Sequence, residues 1–399
     1  MKRIFLLLSL LLLSACSLLS TPTQYRASGD LGVIIARETG TLVVFNSSSR
    51  QILHSVTGLG DLSHASVVFS RDEQFAYVFG RDGGLTKVDI LQGRIAGRTV
   101  QGGNSIGGAI SQDGRLIAVS NYSPGGVRVF DAVTLELVAD IPARYTDAAG
   151  QQQLSKTVGL VDAPGNRFVF SLFDAGEIWV VDFSHFAEDG QWDIQRHAQT
   201  GKNPYDALIT ANGHYYVAGL FGEPGMARLD LWHAQQPPVR VLPDYGDKDQ
   251  VLPVYKMPHL EGWAQAGNYL FVPGVGRHQV LVIDAGSWQQ VAHIPVAGQP
   301  VFVMSRPDNR EIWVSFAHPD NGQIQIIDAE TLAITDTLQP GPAVLHMEFS
   351  PRGEQVWVSV RDRDEVQLYD TRTHQKLATL PVKSPSGIFL TRRAHVIGL

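Results

Sequence analysis

One phrase recurs along this chain: a β-branched or aromatic run that ends in Asp or Asn, followed by a polar turn and a short amphipathic strand. The copies lie at 42–46, 85–89, 127–131, 178–182, 226–230, 280–284, 324–328 and 366–370. Subtracting neighbouring terminal positions gives intervals of 43, 42, 51, 48, 54, 44 and 42 residues. This is the repeat length of a four-stranded propeller blade.

Each repeat also has two strand-like runs before this phrase, joined by a turn, as at 66–70 with 74–80 and at 348–350 with 355–360. The turns contain Gly, Asn or Asp, which tolerate the backbone of tight hairpins. No segment keeps a convincing 3.6-residue hydrophobic period over three turns, so we expect little helix. The sequence therefore predicts an all-β chain that forms a single β-propeller of about eight four-stranded blades, with seven or nine as alternatives.

The two ends of the repeat region are each incomplete. Residues 32–36 look like the second strand of a blade, whereas residues 387–391 look like a first strand. Because open sheet edges invite aggregation, we expect the N- and C-terminal strands to complete one blade together and close the ring. This assigns residues 31–399 to the propeller.

The N-terminus has the pattern of an export signal. Lys2 and Arg3 precede an apolar run at 4–13, which is too short to span a bilayer comfortably. Small residues then lead into Cys16, the only cysteine in the chain. A lone thiol at this position is best explained as the acceptor of a lipid.

We therefore predict a lipoprotein signal peptide at 1–15, lipidation of Cys16, and a lipidated linker at 16–30. The alternative is an ordinary signal peptide that contains a cysteine. Ser17 follows the cysteine, and the absence of Asp there favours the outer membrane. The expected location is the periplasm, with a lipid anchor in the membrane.

Composition excludes several function classes. The formal charge of −7 is spread along the chain with no long run of like charges, so nucleic acid is not an expected partner. The sequence also lacks a nucleotide-binding glycine loop, a cysteine cluster, a zinc-protease motif and a nucleophile elbow. Any chemistry must be acid–base catalysis by polar side chains or must belong to a bound cofactor.

In a propeller, the innermost strand of each blade begins at the face to which the loop between the second and third strands returns, so sites collect there. Aligned innermost-strand starts carry His64, Ser105, Lys156, Tyr205 and His259. The loops carry Arg81, Tyr122, Asp174, Arg277, His278 and His318. Guanidinium for carboxylates, aromatic rings and imidazole for a metal or a proton suit a flat, anionic, aromatic ligand.

Plainer interpretations exist for single members of this set. Arg81 could form a salt bridge with Asp82 across its turn, and a lone histidine at a strand start is often only hydrogen-bonded. Convergence of several such residues on one rim favours a site. The remaining histidines considered fall on outer strands or connections and are expected at the surface: His54, His185, His233, His293 and His374.

The sequence around His64 resembles a known family. The runs HASVVFS at 64–70 and YVFGRDG at 77–83, followed by Val88 and Asp89, resemble the first blade of the haem d1 domain of cytochrome cd1 nitrite reductase. The similarity continues more weakly through nearly all of the mature chain. With a lipid-attachment motif and no cytochrome c domain, the chain is most similar to the lipoproteins of haem d1 biosynthesis in denitrifying bacteria.

This resemblance implies roles for individual residues. His64 stands where the reductase has the axial ligand of the haem d1 iron, and Arg81 stands on an arginine that contacts the haem carboxylates. Tyr205 replaces one of two distal histidines, His259 matches the other, and Ser105 lies near a further arginine of the reductase. The resemblance therefore implies binding of haem d1 or its precursor, and it does not favour nitrite reduction.

Three functions follow as hypotheses. In the first, a late tetrapyrrole precursor bound by His64, Arg81, Ser105, Tyr122 and Arg277 is modified or oxidised towards haem d1. The acid–base groups are then Asp147, Tyr205 and His259, although an Asp in a polar loop is usually only solvated.

In the second, the protein is a non-catalytic carrier that delivers haem d1 or its precursor to nitrite reductase or a later assembly enzyme. In the third, it is a generic propeller scaffold. His64 and Arg81 together argue against the scaffold. The sequence does not separate the enzyme from the carrier, and nitrite reductase and other haem d1 assembly proteins are the expected partners of both.

Overall fold

A computed structural model describes residues 27–244, 262–274 and 277–392. The predicted signal peptide, Cys16 and His259 lie outside these residues. Within them the chain forms eight four-stranded antiparallel sheets arranged as blades around a ring, which confirms the predicted all-β propeller. Blades 1 to 7 are numbered along the chain, and the closing blade contains both ends of the repeat region.

The strands of the closing blade and of blade 1 follow in chain order. The closing blade begins with β1 (Leu31–Ala36), β2 (Thr41–Asn46) and β3 (Gln51–Val56). Blade 1 consists of β4 (Ser66–Phe69), β5 (Phe75–Phe79), β6 (Gly84–Asp89) and β7 (Arg94–Val100).

Blades 2 and 3 are separated by a short hairpin. Blade 2 consists of β8 (Asn104–Ile110), β9 (Leu116–Ser123), β10 (Gly126–Asp131) and β11 (Leu137–Ile141). The hairpin pairs β12 (Arg144–Thr146) with β13 (Gln152–Leu154). Blade 3 consists of β14 (Thr157–Ala163), β15 (Arg167–Leu172), β16 (Glu177–Asp182) and β17 (Asp193–His197), with the helix α1 (Phe186–Asp189) before β17.

Blades 4 and 5 contain the shortest blade strands. Blade 4 consists of β18 (Pro204–Ile209), β19 (Tyr215–Leu220), β20 (Met226–Asp230) and β21 (Val239–Val241). Blade 5 consists of β22 (Ala264–Ala266), β23 (Tyr269–Gly274), β24 (Gln279–Asp284) and β25 (Gln290–Pro295).

The chain ends with blades 6 and 7 and the last strand of the closing blade. Blade 6 consists of β26 (Pro300–Ser305), β27 (Glu311–Phe316), β28 (Ile324–Asp328) and β29 (Ile334–Leu338). Blade 7 consists of β30 (Val344–Phe349), β31 (Gln355–Val360), β32 (Glu365–Asp370) and β33 (Lys376–Pro381), with a 3₁₀ turn (Arg361–Arg363) before β32. The last strand is β34 (Pro385–Leu390).

The closing blade joins the two ends of the chain as predicted. Its strand order is β3-β2-β1-β34, so the last strand becomes the innermost one. Gly32 lies opposite Leu390, and Ile34 lies opposite Ile388. The N–H of Thr391 donates to the carbonyl oxygen of Leu31 at 3.0 Å. The ring therefore depends on an antiparallel pair between segments from opposite ends of the chain.

The Asp that ends each sequence repeat ends the third strand of its blade and orders the next turn. Oδ1 of Asp131 accepts the backbone N–H groups of Val133 and Thr134, both at 2.8 Å. The other third-strand aspartates that accept backbone N–H groups in this way are Asp89, Asp182, Asp230, Asp284, Asp328 and Asp370. In the closing blade, Asn46 does the same with an amide oxygen. The repeat ends in Asp because this turn needs an acceptor at that point.

The core consists of apolar layers between neighbouring blades. Alternate residues of one strand serve two layers: Ala76 and Val78 of β5 face the closing blade, whereas Tyr77 and Phe79 face blade 2. Since both faces of a blade are buried, its middle strands are mostly apolar on both sides, as in β5. This explains why the repeats appear as continuous hydrophobic runs in the sequence.

Two residues lie elsewhere than the sequence predicts. Tyr122 belongs to β9, which extends past the position where the loop was expected. His374, expected at the surface, is only 16% exposed, and its Nδ1 lies 2.7 Å from Oδ2 of Asp336. The surface prediction was wrong because the turn after β32 packs against blade 6, a contact that the repeat pattern does not encode. In the described residues, no helix has the length and apolar character needed to cross a membrane.

Candidate functional site

Antiparallel order brings the starts of the innermost strands and the loops between second and third strands to one face of the ring. We call this face the mouth. Its loops cover 37–40, 80–83, 124–125, 173–176, 221–225, 277–278, 317–323 and 361–364. The expected location of the candidate residues follows from this topology.

His64 lies two residues before β4, in a loop that neighbouring mouth residues hold in place. The backbone N–H of Arg81 donates to the carbonyl oxygen of Asp61 at 2.8 Å. The guanidinium of Arg37 donates to the carbonyl oxygen of Ser63. The His64 residue is only 9% exposed. The residue predicted as an axial ligand thus starts blade 1 in a loop bonded to both blade 1 and the closing blade.

Arg81 does not form the salt bridge with Asp82 that a plainer interpretation allowed. Asp82 instead accepts from Arg98 at 2.9 Å and from the backbone N–H of Gly84 at 3.0 Å. The guanidinium carbon of Arg81 lies 5.8 Å from the ring centre of Tyr122. Among the described residues, no carboxylate lies within ion-pair distance of Arg81. The charge of Arg81 acts on the Asp61 carboxylate nearby, but its guanidinium is in no ion pair among these residues and can bind an anionic group.

Tyr122 and Tyr205 meet across the mouth. Their hydroxyl oxygens are 2.6 Å apart, although the residues come from blades 2 and 4. The Tyr205 ring packs edge-on against Phe173 at 5.7 Å and Phe221 at 4.8 Å. Burial, followed by the neighbouring phenol, raises the pKa of Tyr122 well above its ordinary value. Tyr122 is therefore neutral at pH 7, and the pair acts as a hydrogen-bonding group beside an aromatic wall.

Two further arginines at the mouth were missed in the sequence. Burial and the nearby charge of Arg361 lower the pKa of Arg37. Burial alone would raise the pKa of Asp61, but hydrogen bonds from Ser63 and the charges of Arg81 and Arg37 hold it below its usual range. Both missed arginines lie in loops between second and third strands, so the rule that selected Arg81 would have found them in the closing blade and blade 7.

Ser105 lies at the start of β8 but is buried in a side-chain network. Its hydroxyl accepts from Nε2 of Gln101 at 2.8 Å and donates to Oδ1 of Asn121 at 2.9 Å. The backbone N–H of Ser105 donates to the carbonyl oxygen of Arg81 at 3.2 Å. Through this backbone hydrogen bond, Ser105 holds the Arg81 loop in place.

Asp147 lies at the tip of the β12–β13 hairpin. Its carboxylate accepts the backbone N–H groups of Gln151 at 2.8 Å and Ala149 at 3.0 Å. The hydrogen bond from Gln151, more than any other interaction, lowers the pKa of Asp147. The carboxylate is ionised at neutral pH and orders the hairpin turn.

The other candidates occupy the predicted loops or lie beyond the described chain. Lys156 pairs with Asp174 at 2.8 Å beside the ring of Phe173. Arg277 follows β23 at the mouth and lines a groove between blades 4 and 5 together with Trp288. His278 and His318 lie in loops between second and third strands. The structure thus brings together Arg81, Tyr122 and Tyr205 near the His64 loop, while Arg277 lies at a different blade interface.

The chain is thus an eight-bladed β-propeller. Its mouth presents imidazole, guanidinium and phenol groups beside an aromatic wall. A family model described as the cytochrome D1 heme domain matches residues 26–394, and the chain belongs to this family. The resemblance inferred from blade 1 is therefore confirmed and extends through the whole ring.

Individual relatives are similar over most of their length. Protein NirF of Pseudomonas aeruginosa is 60% identical over 392 residues, which cover 98% of each chain. A dihydro-heme d1 dehydrogenase of the same organism is 29% identical over 332 residues, or 81% of this chain and 64% of that one. The solved structure of the dihydro-heme d1 dehydrogenase NirN in complex with DHE superposes with a TM-score of 0.80 at 25% identity, covering 95% of this chain and 79% of that chain.

Proposed function

We propose that the mouth binds a late tetrapyrrole precursor of haem d1 and takes part in its conversion to haem d1. The observation that carries this proposal is Arg81, a guanidinium that forms no ion pair among the described residues, beside the Tyr122–Tyr205 pair. A ligand with several carboxylates and a flat conjugated ring would satisfy both groups. Similarity to a dihydro-heme d1 dehydrogenase supports a ligand of this chemical type.

Each residue then has a definite task. Arg81 binds a peripheral carboxylate, with Arg37 adding positive charge on the same side of the mouth. Tyr122 and Tyr205 donate or accept one hydrogen bond beyond the one that they share. His64 supplies the imidazole nitrogen for a tetrapyrrole iron, and the bound iron ring supplies the redox chemistry.

A non-catalytic carrier that delivers haem d1 or its precursor to nitrite reductase or a later enzyme is the second candidate. The pKa shifts of Tyr122 and Asp147 favour it. The pKa of Tyr122 is raised and that of Asp147 is lowered, so neither changes protonation near neutral pH. A general acid or base works best with a pKa near the working pH. Under the enzymatic hypothesis, proton transfer therefore falls to Tyr205 and His259.

Incubation of the purified apo-protein with the precursor distinguishes the two. Conversion predicts a new pigment on extraction, with the absorption spectrum changing over time. Carriage predicts a stable ligated spectrum from which unchanged pigment is extracted. Absence of any spectral change at micromolar precursor would contradict both.

We further propose that the protein is held in the periplasm by a lipid on Cys16, with the outer membrane favoured, and that nitrite reductase and other haem d1 assembly proteins are its partners. Only the thiol of Cys16 accepts the lipid, so Cys16→Ala should release the protein from membranes. Fractionation after a salt wash tests this. Membrane association of the variant equal to that of the natural protein would refute the anchor.

A further inference from the structure

Two histidines and an aspartate meet in blade 4 on the face opposite the mouth. His214 lies in the turn between β18 and β19, Asp230 ends β20, and His233 lies in the following turn. One ligand atom from each lies within 4.8 Å of the other two. Nε2 of His214 is 3.1 Å from Oδ1 of Asp230, and Nδ1 of His233 is 3.2 Å from Oδ2 of the same carboxylate.

These distances suit a shared metal ion. Two donors that bind one ion at about 2.1 Å are themselves separated by about 3.0–3.4 Å in octahedral or tetrahedral geometry. Both contacts to Asp230 lie in this range, but they end on different carboxylate oxygens, so His233 must turn towards Oδ1 for one ion to share that oxygen with His214. The two imidazole nitrogens lie within 4.8 Å of each other, and the side chain of His233, which is 64% exposed, has the freedom to turn towards the ion.

The other imidazole is held in place. The His214 side chain is 18% exposed, and its ring stacks on Tyr215 at 3.8 Å and on Trp232 at 3.9 Å. Stacking on two aromatic neighbours fixes the direction in which Nε2 points. The cluster therefore has a preformed half, His214 with Asp230, and one adjustable ligand.

The repeat itself shows that this turn does not need histidine. In blade 5 the two matching positions are Asn268 and Ser287, and both bond to Asp284. The amide contact is 2.6 Å and the hydroxyl contact is 2.9 Å. The match follows from the backbone, because His214 and Asn268 each accept, through their carbonyl oxygens, the N–H of the residue after the third-strand aspartate.

Hydroxyls also occupy the position of His233 in other blades. Thr331 and Thr373 donate hydrogen bonds to the third-strand aspartates of blades 6 and 7. An amide or a hydroxyl is therefore sufficient for the fold. Blade 4 uses imidazole at both positions, and imidazole adds a donor atom of the kind that transition metals prefer.

We propose that His214, Asp230 and His233 bind a divalent transition-metal ion, with Zn²⁺ as the representative. Two imidazole nitrogens and one carboxylate oxygen suit Zn²⁺, Ni²⁺ or Cu²⁺ and do not suit Ca²⁺ or Mg²⁺, which prefer oxygen ligands. Three protein ligands leave a coordination position for water. The site is separate from the mouth, since Tyr205 starts β18 at the other end of the blade.

The position suggests what the ion does. It joins the turn before β19 to the turn after β20, and the outer strand that follows, β21, has only three residues. Outer strands of the other blades have five to seven residues. A metal clip here would stabilise the blade with the shortest outer strand by binding only the folded form.

Calorimetric titration of Zn²⁺ into the untagged full chain tests the site. We expect one ion per chain and a raised melting temperature with Zn²⁺. The double variant His214→Asn/His233→Ser copies the turn of blade 5, so it should fold as before and bind Zn²⁺ at least about 100-fold more weakly. His233→Ser alone, at an exposed side chain, should weaken binding about tenfold or more without affecting folding.

His185→Ala is the matched control, because this exposed histidine follows Asp182 of blade 3 at the same distance as His233 follows Asp230. It should leave Zn²⁺ binding unchanged. Quenching of Trp232 fluorescence by Cu²⁺, lost in Trp232→Phe, would place the ion beside His214. Two results would overturn the proposal: no Zn²⁺ bound by the natural chain, or equal binding by the double variant.

Discussion

The two faces of this propeller use polar residues in opposite ways. On the face away from the mouth, the third-strand aspartates repeat the same turn, and each carboxylate is satisfied by backbone N–H groups two or three residues ahead. At the mouth the loops differ from blade to blade, and the main contacts cross between blades, as from Tyr122 to Tyr205.

This difference separates residues that build the ring from residues that serve a ligand. A turn whose polar groups are satisfied locally can be copied in every blade. A binding site has to place unlike groups at defined positions, so its loops cannot all be alike. Arg81 illustrates the second case, because its neighbour Asp82 is bound to Arg98 while its own charge stays available.

Preventing closure of the ring should have the largest effect on the protein. Deleting residues from 387 onward removes most of β34, exposing the apolar layers on both sides of the closing blade and the edge of β1. We expect loss of cooperative folding, measured by circular dichroism on heating. Deleting only 393–399 leaves β34 intact and serves as the control. An unchanged melting transition in the longer deletion would show that the ring closes in another way.

At the mouth, His64→Ala should have the largest effect on function and little on folding. If His64 supplies the axial nitrogen, the variant should bind haem d1 without the ligated spectrum of the natural protein, because the axial ligand sets the spin and redox state of the iron. Titration followed by absorption spectroscopy measures this. A spectrum identical to that of the natural protein would transfer the axial role to another residue, with His259 the first to test.

Arg81→Ala should have a smaller effect on ligand binding than His64→Ala. Loss of a charge-assisted contact to a carboxylate costs about 1.5–3 kcal/mol, or roughly ten- to a hundredfold in affinity. The ligated spectrum should be unchanged, since the guanidinium contacts the periphery of the ring. Arg81→Lys, which retains the charge, should recover part of the affinity. Equal affinity of Arg81→Ala and the natural protein would remove Arg81 from the site.

On the face opposite the mouth, substituting the aspartate of one turn should have the smallest effect. Asp131→Ala removes the acceptor for Val133 and Thr134 and should cost about 1 kcal/mol in the free energy of unfolding. Asp131→Asn should cost less, because Asn46 serves the same turn in the closing blade. Haem d1 affinity should not change in either variant, and a change would break the separation between the two faces.

The same turn predicts a pH dependence. Burial alone would raise the pKa of Asp131, but hydrogen bonds from Thr134 and Val133 hold it below its ordinary value. Its stabilisation is therefore complete above the unfolded pKa of about 4 and is lost as the pH falls through the lower folded pKa. The difference in melting temperature between Asp131→Ala and the natural protein should shrink below about pH 4. A constant difference down to pH 2 would mean that the charge contributes nothing.

The sequence by itself determined the blades, their order and the closure of the ring. The blades and their order depend on contacts that repeat or lie close along the chain, namely strand alternation and the aspartate turn. The closure was predictable because the segments at 32–36 and 387–391 are each incomplete and complement each other. Once the ring is known, topology alone places His64 and Arg81 at the mouth. Periodic patterns carry this information because each blade repeats the same local geometry.

Only the tertiary structure decided which side chains meet at the mouth. Tyr122 and Tyr205 are 83 positions apart, yet their hydroxyls touch. Ser105, aligned with the site residues, has its hydroxyl committed to a buried network, and Arg37 and Arg361 join the mouth from opposite ends of the chain. The physical reason is that ring closure sets the distances between loops of different blades, whereas the repeat specifies only the backbone within each blade.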